Sequence, residues 1–518
     1  MRTRNYVMSA LAVAGVALGL AMPLRADSLT VKTAQGKIHG MTINDGKVKA
    51  FLGLPYAAPP VGELRWRAPE PAAKWKGVRD ATVYGHHCLQ SPASDQAFTD
   101  PEPSEDCLYM NVYAPADAKA KSKLPVMFWI HGGGFSSGAG SEFRHNGDTL
   151  PTKGVVLVTF NYRLGVFGFM TTAEMGKEAN GAAGDYGILD IIAAMRWVQA
   201  NIKQFGGDPG NVTIFGESAG SMAVSLLMAS PMAQGLFAKA IGESGGAFST
   251  NPQQNATLET REQRDADWAA TLGAPTLAQL RAMPADDLMA ATKKQGAPRF
   301  SVVVDGRVLT EPVPDTYAAG KQAHVPLLAG WNRDENAALA RGLTVEGWKQ
   351  WAADHFGDRA AEFLTLYPGD TDEQAQRSAI DYGSDAFIAF GTWKWIEAQR
   401  KTGGAPVYRY HFELPAPPSK FHPGWFTFHS DDIEYVFGVL DTRPEAEWRP
   451  EDRKLSEEMV EYWTNFAKTG DPNGPGLPVW PKYGDDRQVL HLNDPITAAP
   501  STVEARYEFL LQGMPTTR

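Results

Sequence analysis

The chain has 518 residues, 43% of them hydrophobic and 21% charged, and a formal net charge of −10. Those values fit a globular protein with a large core, and the length leaves room for more than one domain. The acidic balance disfavours nucleic acid and anionic membrane as partners and places no restriction on a small molecule held in a pocket.

The first 26 residues stand apart. Arg2 and Arg4 precede an apolar stretch over 7–22, and Leu24-Arg25-Ala26 ends on a small residue suited to cleavage. This pattern predicts a secretory signal peptide, too short and alanine-rich for a membrane anchor, and hence a secreted or periplasmic protein. The leader holds three arginines and no acid, so its removal makes the remainder more acidic still. No later segment reads as membrane-spanning. Cys88 and Cys107 are the two cysteines. On an exported chain they are expected to pair, with two reduced buried thiols as the alternative. Two cysteines cannot build a structural zinc site alone and no HExxH-type pair occurs, so neither metal nor cofactor is expected.

From residue 29 the chain alternates in the manner of strands: 29–33, 36–43 and 47–52, with Asn44-Asp45-Gly46 as turn chemistry. Residues 55–69 carry too much proline for a regular element and are expected to wrap the surface or a pocket rim. Continuous apolar runs at 125–130 and 155–160 read as buried strands. Ile188, Ile191, Ile192, Met195, Val198 and Ile202 share one helical face. A strand at 212–215 precedes a helix from 219, and further strands are expected at 326–331, 406–412 and 488–492. Regions 250–300 and 343–400 have helical patterns, the second studded with aromatics that read mostly as core. A last helix carries Leu455, Met459, Tyr462, Trp463 and Phe466 and stops at Gly470. Apolar strands separated by amphipathic helices predict an α/β fold: a mostly parallel sheet covered on both faces, with helical insertions. Residues 27–518 read as one domain after the 1–26 leader.

Three segments fit the pattern of a serine between glycines: 134–138, 216–220 and 242–246. Such a serine, at a strand-to-helix turn, is exposed for nucleophilic attack. Ser218 alone has an apolar strand before it and a long helix after it. Ser136 sits in a loop of small residues, and Ser244 is followed by Gly245-Gly246 and no helix. A helix N-terminus also favours a developing anion, which selects Ser218. His131-Gly132-Gly133-Gly134 follows a strand directly, and its glycines let backbone N–H groups reach a substrate oxygen unobstructed. A phosphate-binding loop would need a following Lys-Ser/Thr, which is missing. From the residues alone, His355, His411, His422, His429 and His491 all remain candidates for the base.

Residues 205–220, Phe-Gly-Gly-Asp-Pro-Gly-Asn-Val-Thr-Ile-Phe-Gly-Glu-Ser-Ala-Gly, resemble the serine signature of the type-B carboxylesterases, the cholinesterase-like branch of the α/β-hydrolases. Residues 105–112 resemble that family's second signature, and 51–57, 161–165 and 303–306 also fit. The resemblance covers nearly the whole mature chain. It implies the α/β-hydrolase fold and a Cys88–Cys107 disulfide. It also implies a triad in the order Ser218, Glu335, His429, with an oxyanion hole from the N–H groups of Gly133, Gly134 and Ala219. Asp334 competes with Glu335 for the acid role, and Asn336 stands where the family has glycine. Glu217 and Ser244 are expected as buried polar support near the triad.

The implied reaction is ester hydrolysis through an acyl-enzyme, with a small ester and water as the partners. Within that family, the cholinesterase subgroup recognises a quaternary ammonium on a tryptophan in the disulfide loop. The loop between Cys88 and Cys107 has no Trp and one Phe, Phe98, so uncharged or weakly polar esters are expected instead. The same machinery would serve carbamates, lactones or polyesters. The alternative from another class is an inactive esterase-like binding protein, against which stand the intact Ser218, Glu335, His429 and glycine loop.

Overall fold

A computed structural model describes residues 29–91, 97–181, 183–248, 257–418 and 424–513. The predicted leader and His422 lie outside them. Among the described residues, β1 (Thr30–Lys32), β2 (Lys37–His39) and β5 (Val78–Asp80) make a small sheet. The main sheet has eleven strands: β3 (Met41–Ile43), β4 (Val48–Pro55), β6 (Tyr109–Pro115), β7 (Leu124–Ile130), β8 (Val156–Phe160), β9 (Gly207–Glu217), β10 (Lys239–Glu243), β11 (Leu327–Asn332), β12 (Val407–Phe412), β13 (Gln488–Leu492) and β14 (Thr497–Pro500). Their spatial order is β14-β13-β12-β11-β10-β9-β7-β8-β6-β4-β3. The strands from β8 to β13 run parallel, and the pairs at either edge run antiparallel.

The parallel strands are buried on both faces, which is why β7 and β8 read as unbroken apolar runs. On one face lie the helices Tyr186–Asn201, Ala219–Ala229 and Phe390–Thr402. On the other, the helix Pro450–Thr469 sets Leu455, Met459, Trp463 and Phe466 against Trp129, Phe215 and Tyr410, and ends at Gly470 as predicted. The α/β-hydrolase architecture expected from the sequence is the one observed. β9 is longer than expected because 207–211 extend it alongside β7 past a register shift. β6 carries no pattern that marks it as a strand, since buried Asn111 interrupts its apolar run. That side chain is used internally: Oδ1 accepts from Gly53 N–H at 3.1 Å, and Nδ2 donates to Thr159 Oγ1 at 3.0 Å.

Short helices at Leu258–Thr271, Leu277–Ala282 and Ala285–Thr292 intervene between β10 and β11, and a longer helical stretch from Val345 to Thr402 between β11 and β12. Most of the aromatics in that stretch are core, including Trp348, Phe363, Phe390, Trp393 and Trp395. Phe387 is an exception: it sits on a π-helical turn, Asp385–Ala389, and is exposed. Cys88 and Cys107 are disulfide-bonded.

Candidate active site

The C-terminal ends of parallel strands form a crevice suited to ligand binding, and the predicted residues gather there. Ser218 follows β9 directly and begins the helix Ala219–Ala229 at φ 54°, ψ −120°. A non-glycine residue there is strained, and the surroundings hold it. Ser218 N–H donates to Glu243 O at 2.9 Å. A Cβ on Gly216 or Gly220 would stand 2.5 or 1.9 Å from Ile130 O, so both positions require glycine for β9 and its helix to close on β7. Ser244 also has positive φ, 52°, but is fully buried, and Ser136 Oγ donates to the carbonyls of Gly133 and Gly134 in its own loop.

His429 Nε2 lies 2.8 Å from Ser218 Oγ, and its Nδ1 lies 2.6 Å from Glu335 Oε2. The second oxygen of Glu335 accepts the Asn332 N–H at 2.7 Å. Asn332 also donates its side-chain amide to Phe428 O at 2.8 Å and Asp432 Oδ1 at 3.1 Å. One residue thus ties the loop after β11 to the loop carrying the histidine. Asp334 faces elsewhere, paired with Arg333 at 2.8 Å and Arg377 at 2.5 Å. Burial alone would raise its pKa, but the two guanidiniums outweigh that and hold it below the usual carboxylate range. Asn336 is not in the left-handed region, so the position does not need glycine. His355 is exposed on a helix and bonds to Trp351 O, while His411 and His491 both face Glu413.

The 132–134 loop packs directly on the serine: a Cβ on Gly132 would stand 2.6 Å from Glu217 Oε2 and 3.2 Å from Ser218 Cβ. Gly133 and Gly134 have φ of 95° and 63°. The buried His131 anchors the loop, stacked on Tyr162 at 4.3 Å, while Tyr162 Oη donates to His131 O at 2.8 Å. Burial pushes the His131 pKa down to about 4, so this ring is a neutral structural group.

Glu217 comes closer to the chemistry than expected. Its Oε1 is 3.2 Å from His429 Nε2. Burial pushes the Glu217 carboxyl up to about 8, against the opposing pull of His429. Burial would lower His429, but Glu217 and Glu335 outweigh it and raise the imidazole to about 9. Above these groups opens a cavity of about 400 Å³. Its walls are largely apolar, with Met222, Leu226, Val303, Val313 and Phe387 among them. Phe387 sets its ring edge-on to His429 at 5.0 Å. Arg299, exposed, also lines the cavity near Gly134. Asn332 and Arg299 carry no sequence signal for these positions, whereas Glu217 is expected near the triad from the family resemblance and Phe387 belongs to the aromatic-rich stretch of 343–400.

The arrangement can activate a hydroxyl, orient the base and receive an oxyanion. A sequence model of the Carboxylesterase family matches residues 27–510. The chain is 35% identical over 472 residues to fumonisin B1 esterase of Sphingopyxis macrogoltabida, covering 88% of this chain and 85% of that one. It is 37% identical over 528 residues to carboxylesterase 5A of Canis lupus familiaris, covering 95% and 89%. Among solved structures, a PNB esterase superposes with a TM-score of 0.77 at 35% identity, covering 92% of this chain and 99% of that one.

Proposed function

This chain belongs to the carboxylesterase family and is a carboxylic ester hydrolase; from that premise we propose that Ser218, His429 and Glu335 carry the reaction through an acyl-enzyme. The observation that carries the reading is the hydrogen-bonded line from Ser218 Oγ through His429 to Glu335, at 2.8 and 2.6 Å. Ser218 Oγ attacks the ester carbonyl carbon while its proton passes to His429 Nε2. The N–H groups of Gly133, Gly134 and Ala219 receive the oxyanion. His429 returns the proton to the departing alcohol as the ester C–O bond breaks. Water, deprotonated by the same imidazole, then attacks the acyl carbon and releases the acid and Ser218. Residues 27–518 act as one catalytic unit, supported by a main sheet that draws strands from Met41 to Pro500. Residues 1–26 act as an export leader, a reading with which the Cys88–Cys107 disulfide agrees.

Ser218→Ala tests the assignment. It is expected to lower kcat by about 10⁶-fold and to abolish covalent labelling by an organophosphate. Near-normal turnover in that variant would reject Ser218 as the nucleophile.

The apolar cavity favours an uncharged or weakly polar ester. A second reading has one observation behind it. Arg299 lines the cavity with Nη2 3.5 Å from where a Gly134 Cβ would stand, and has no ion-pair or hydrogen-bond partner among the described residues. A free guanidinium there suits an ester bearing a carboxylate away from the scissile bond. With a matched pair, the 4-nitrophenyl ester of a dicarboxylic acid half-acid and its neutral methyl analogue, Arg299→Ala is expected to lower kcat/KM about tenfold on the acid alone. Equal effects on both would leave the neutral-ester reading in place.

A further inference from the structure

Outside the cavity lining, three metal-ligating side chains meet at the ends of neighbouring strands. His411 on β12 and His491 on β13 are register partners in a parallel pair, so both project from the same face of the sheet. Glu413 follows two residues after His411. Its Oε1 is 2.7 Å from His411 Nδ1 and 2.6 Å from His491 Nδ1. The three donor atoms lie within 4.8 Å of one another, and each side chain is about one-fifth exposed, at 21–22%. Strand pairing fixes both histidine backbones, and Glu413 N–H bonds to Leu492 O at 2.9 Å. The sheet therefore holds the backbones that carry the ligand set, while an entering ion replaces the two His–Glu hydrogen bonds and spreads the donor atoms to about 3.3 Å.

We propose that His411, Glu413 and His491 form a binding site for one zinc-class divalent cation, with a remaining position open to solvent. Two imidazoles and one carboxylate are a three-ligand set that zinc accepts with water as the fourth ligand. Nitrogen donors of this kind favour Zn²⁺ and its transition-metal neighbours over Ca²⁺ or Mg²⁺, which take oxygen. For the ion to enter, each Nδ1 presents its lone pair and the ring proton resides on Nε2. The site clamps β12 to β13 beside the strand that leads to the Glu335 loop, where Phe412 O accepts the Arg333 N–H at 3.0 Å. Its role is in holding the sheet, not in ester chemistry. The sequence hides it: Glu413 and His491 are 78 residues apart, and no short motif links them.

The test uses the tag-free, chelator-treated protein. Co²⁺, a spectroscopic stand-in for zinc, is expected to give one equivalent of an intense visible band that Zn²⁺ displaces. Zn²⁺ is also expected to raise the thermal midpoint. Glu413→Gln and His491→Ala are each expected to weaken Zn²⁺ binding about 100-fold or more by calorimetry, with ester turnover unchanged. Should His491→Ala fail to fold, the nearly isosteric Glu413→Gln carries the comparison. No saturable binding to the native protein, or equal affinity in the variants, would overturn the site and leave the cluster as a hydrogen-bonded His–Glu–His clasp. Neither result bears on the assignment of Ser218, which rests on a separate set of residues.

Discussion

Two carboxylates face the His429 ring from different sides. Glu335 meets Nδ1, while Glu217 stands 3.2 Å from Nε2, the nitrogen that also meets Ser218. A negative Glu217 favours the imidazolium, so it opposes the neutral ring that general-base catalysis requires. Burial counters this by keeping the Glu217 carboxyl protonated up to about pH 8. Glu217→Gln removes the charge and lowers the His429 pKa from about 9. The rising limb of the kcat/KM–pH profile is therefore expected to move to lower pH, by about one unit. An unmoved profile would mean that Glu217 is already neutral throughout the titration of His429. In the sequence Ser218 stood out by its strand–helix context, whereas Glu335 and His429 were named only through the family resemblance, since five histidines were otherwise open. The closeness of Glu217 to Nε2 and the triple role of Asn332 were not legible, since both depend on loops that meet only in the folded chain.

At the scale of elements, the strand–turn–helix around Ser218 depends on close approach to β7. Gly220→Ala would place a methyl 1.9 Å from Ile130 O, a backbone atom held in the sheet. The helix or β7 must shift, and Ile130 leads directly into the 131–134 loop. The variant is expected to lose about 1–3 kcal/mol of stability in denaturant unfolding, and kcat with it. Full activity at native stability would refute the packing argument. The strands that read clearly, β7 and β8, are buried on both faces and uniformly apolar. β6 escaped because Asn111 satisfies its neighbours inside the sheet, and the turn at Asp385–Ala389 because its anchor is a tertiary one. There Tyr367 and Tyr507 donate to Asp385 at 2.8 and 2.9 Å, which fixes the segment that offers Phe387 to the cavity.

For the whole molecule, the disulfide closes a span of 19 residues next to the glycine loop. Gln90, two residues after Cys88, donates to Gly138 O at 2.9 Å and accepts Gly138 N–H at 2.6 Å. A Cβ on Gly138 would in turn stand 2.3 Å from His131 Nδ1. Replacing both cysteines by serine is expected to remove about 3 kcal/mol of stability in the loop-entropy model, read from chemical denaturation. Turnover should fall as well, because the prop under His131 loosens. Unchanged stability would show that the loop is ordered without its bridge. The parallel strands and the β3–β4 edge were foreseeable, from the spacing of apolar runs and from the Asn44-Asp45-Gly46 turn, whereas the β14 edge was not, because Thr497–Pro500 alternates too briefly to be read.

Ser218 and His429 stand 211 residues apart along the chain, and Glu335 stands 94 before His429. No fragment ending before residue 429 contains the whole device, and no locally folded piece can assemble it. On the proposed triad, a growing polypeptide stays inert toward esters until the chain beyond His429 has been made and packed against β9 and β11, so the first turnover would report that these distant segments have met.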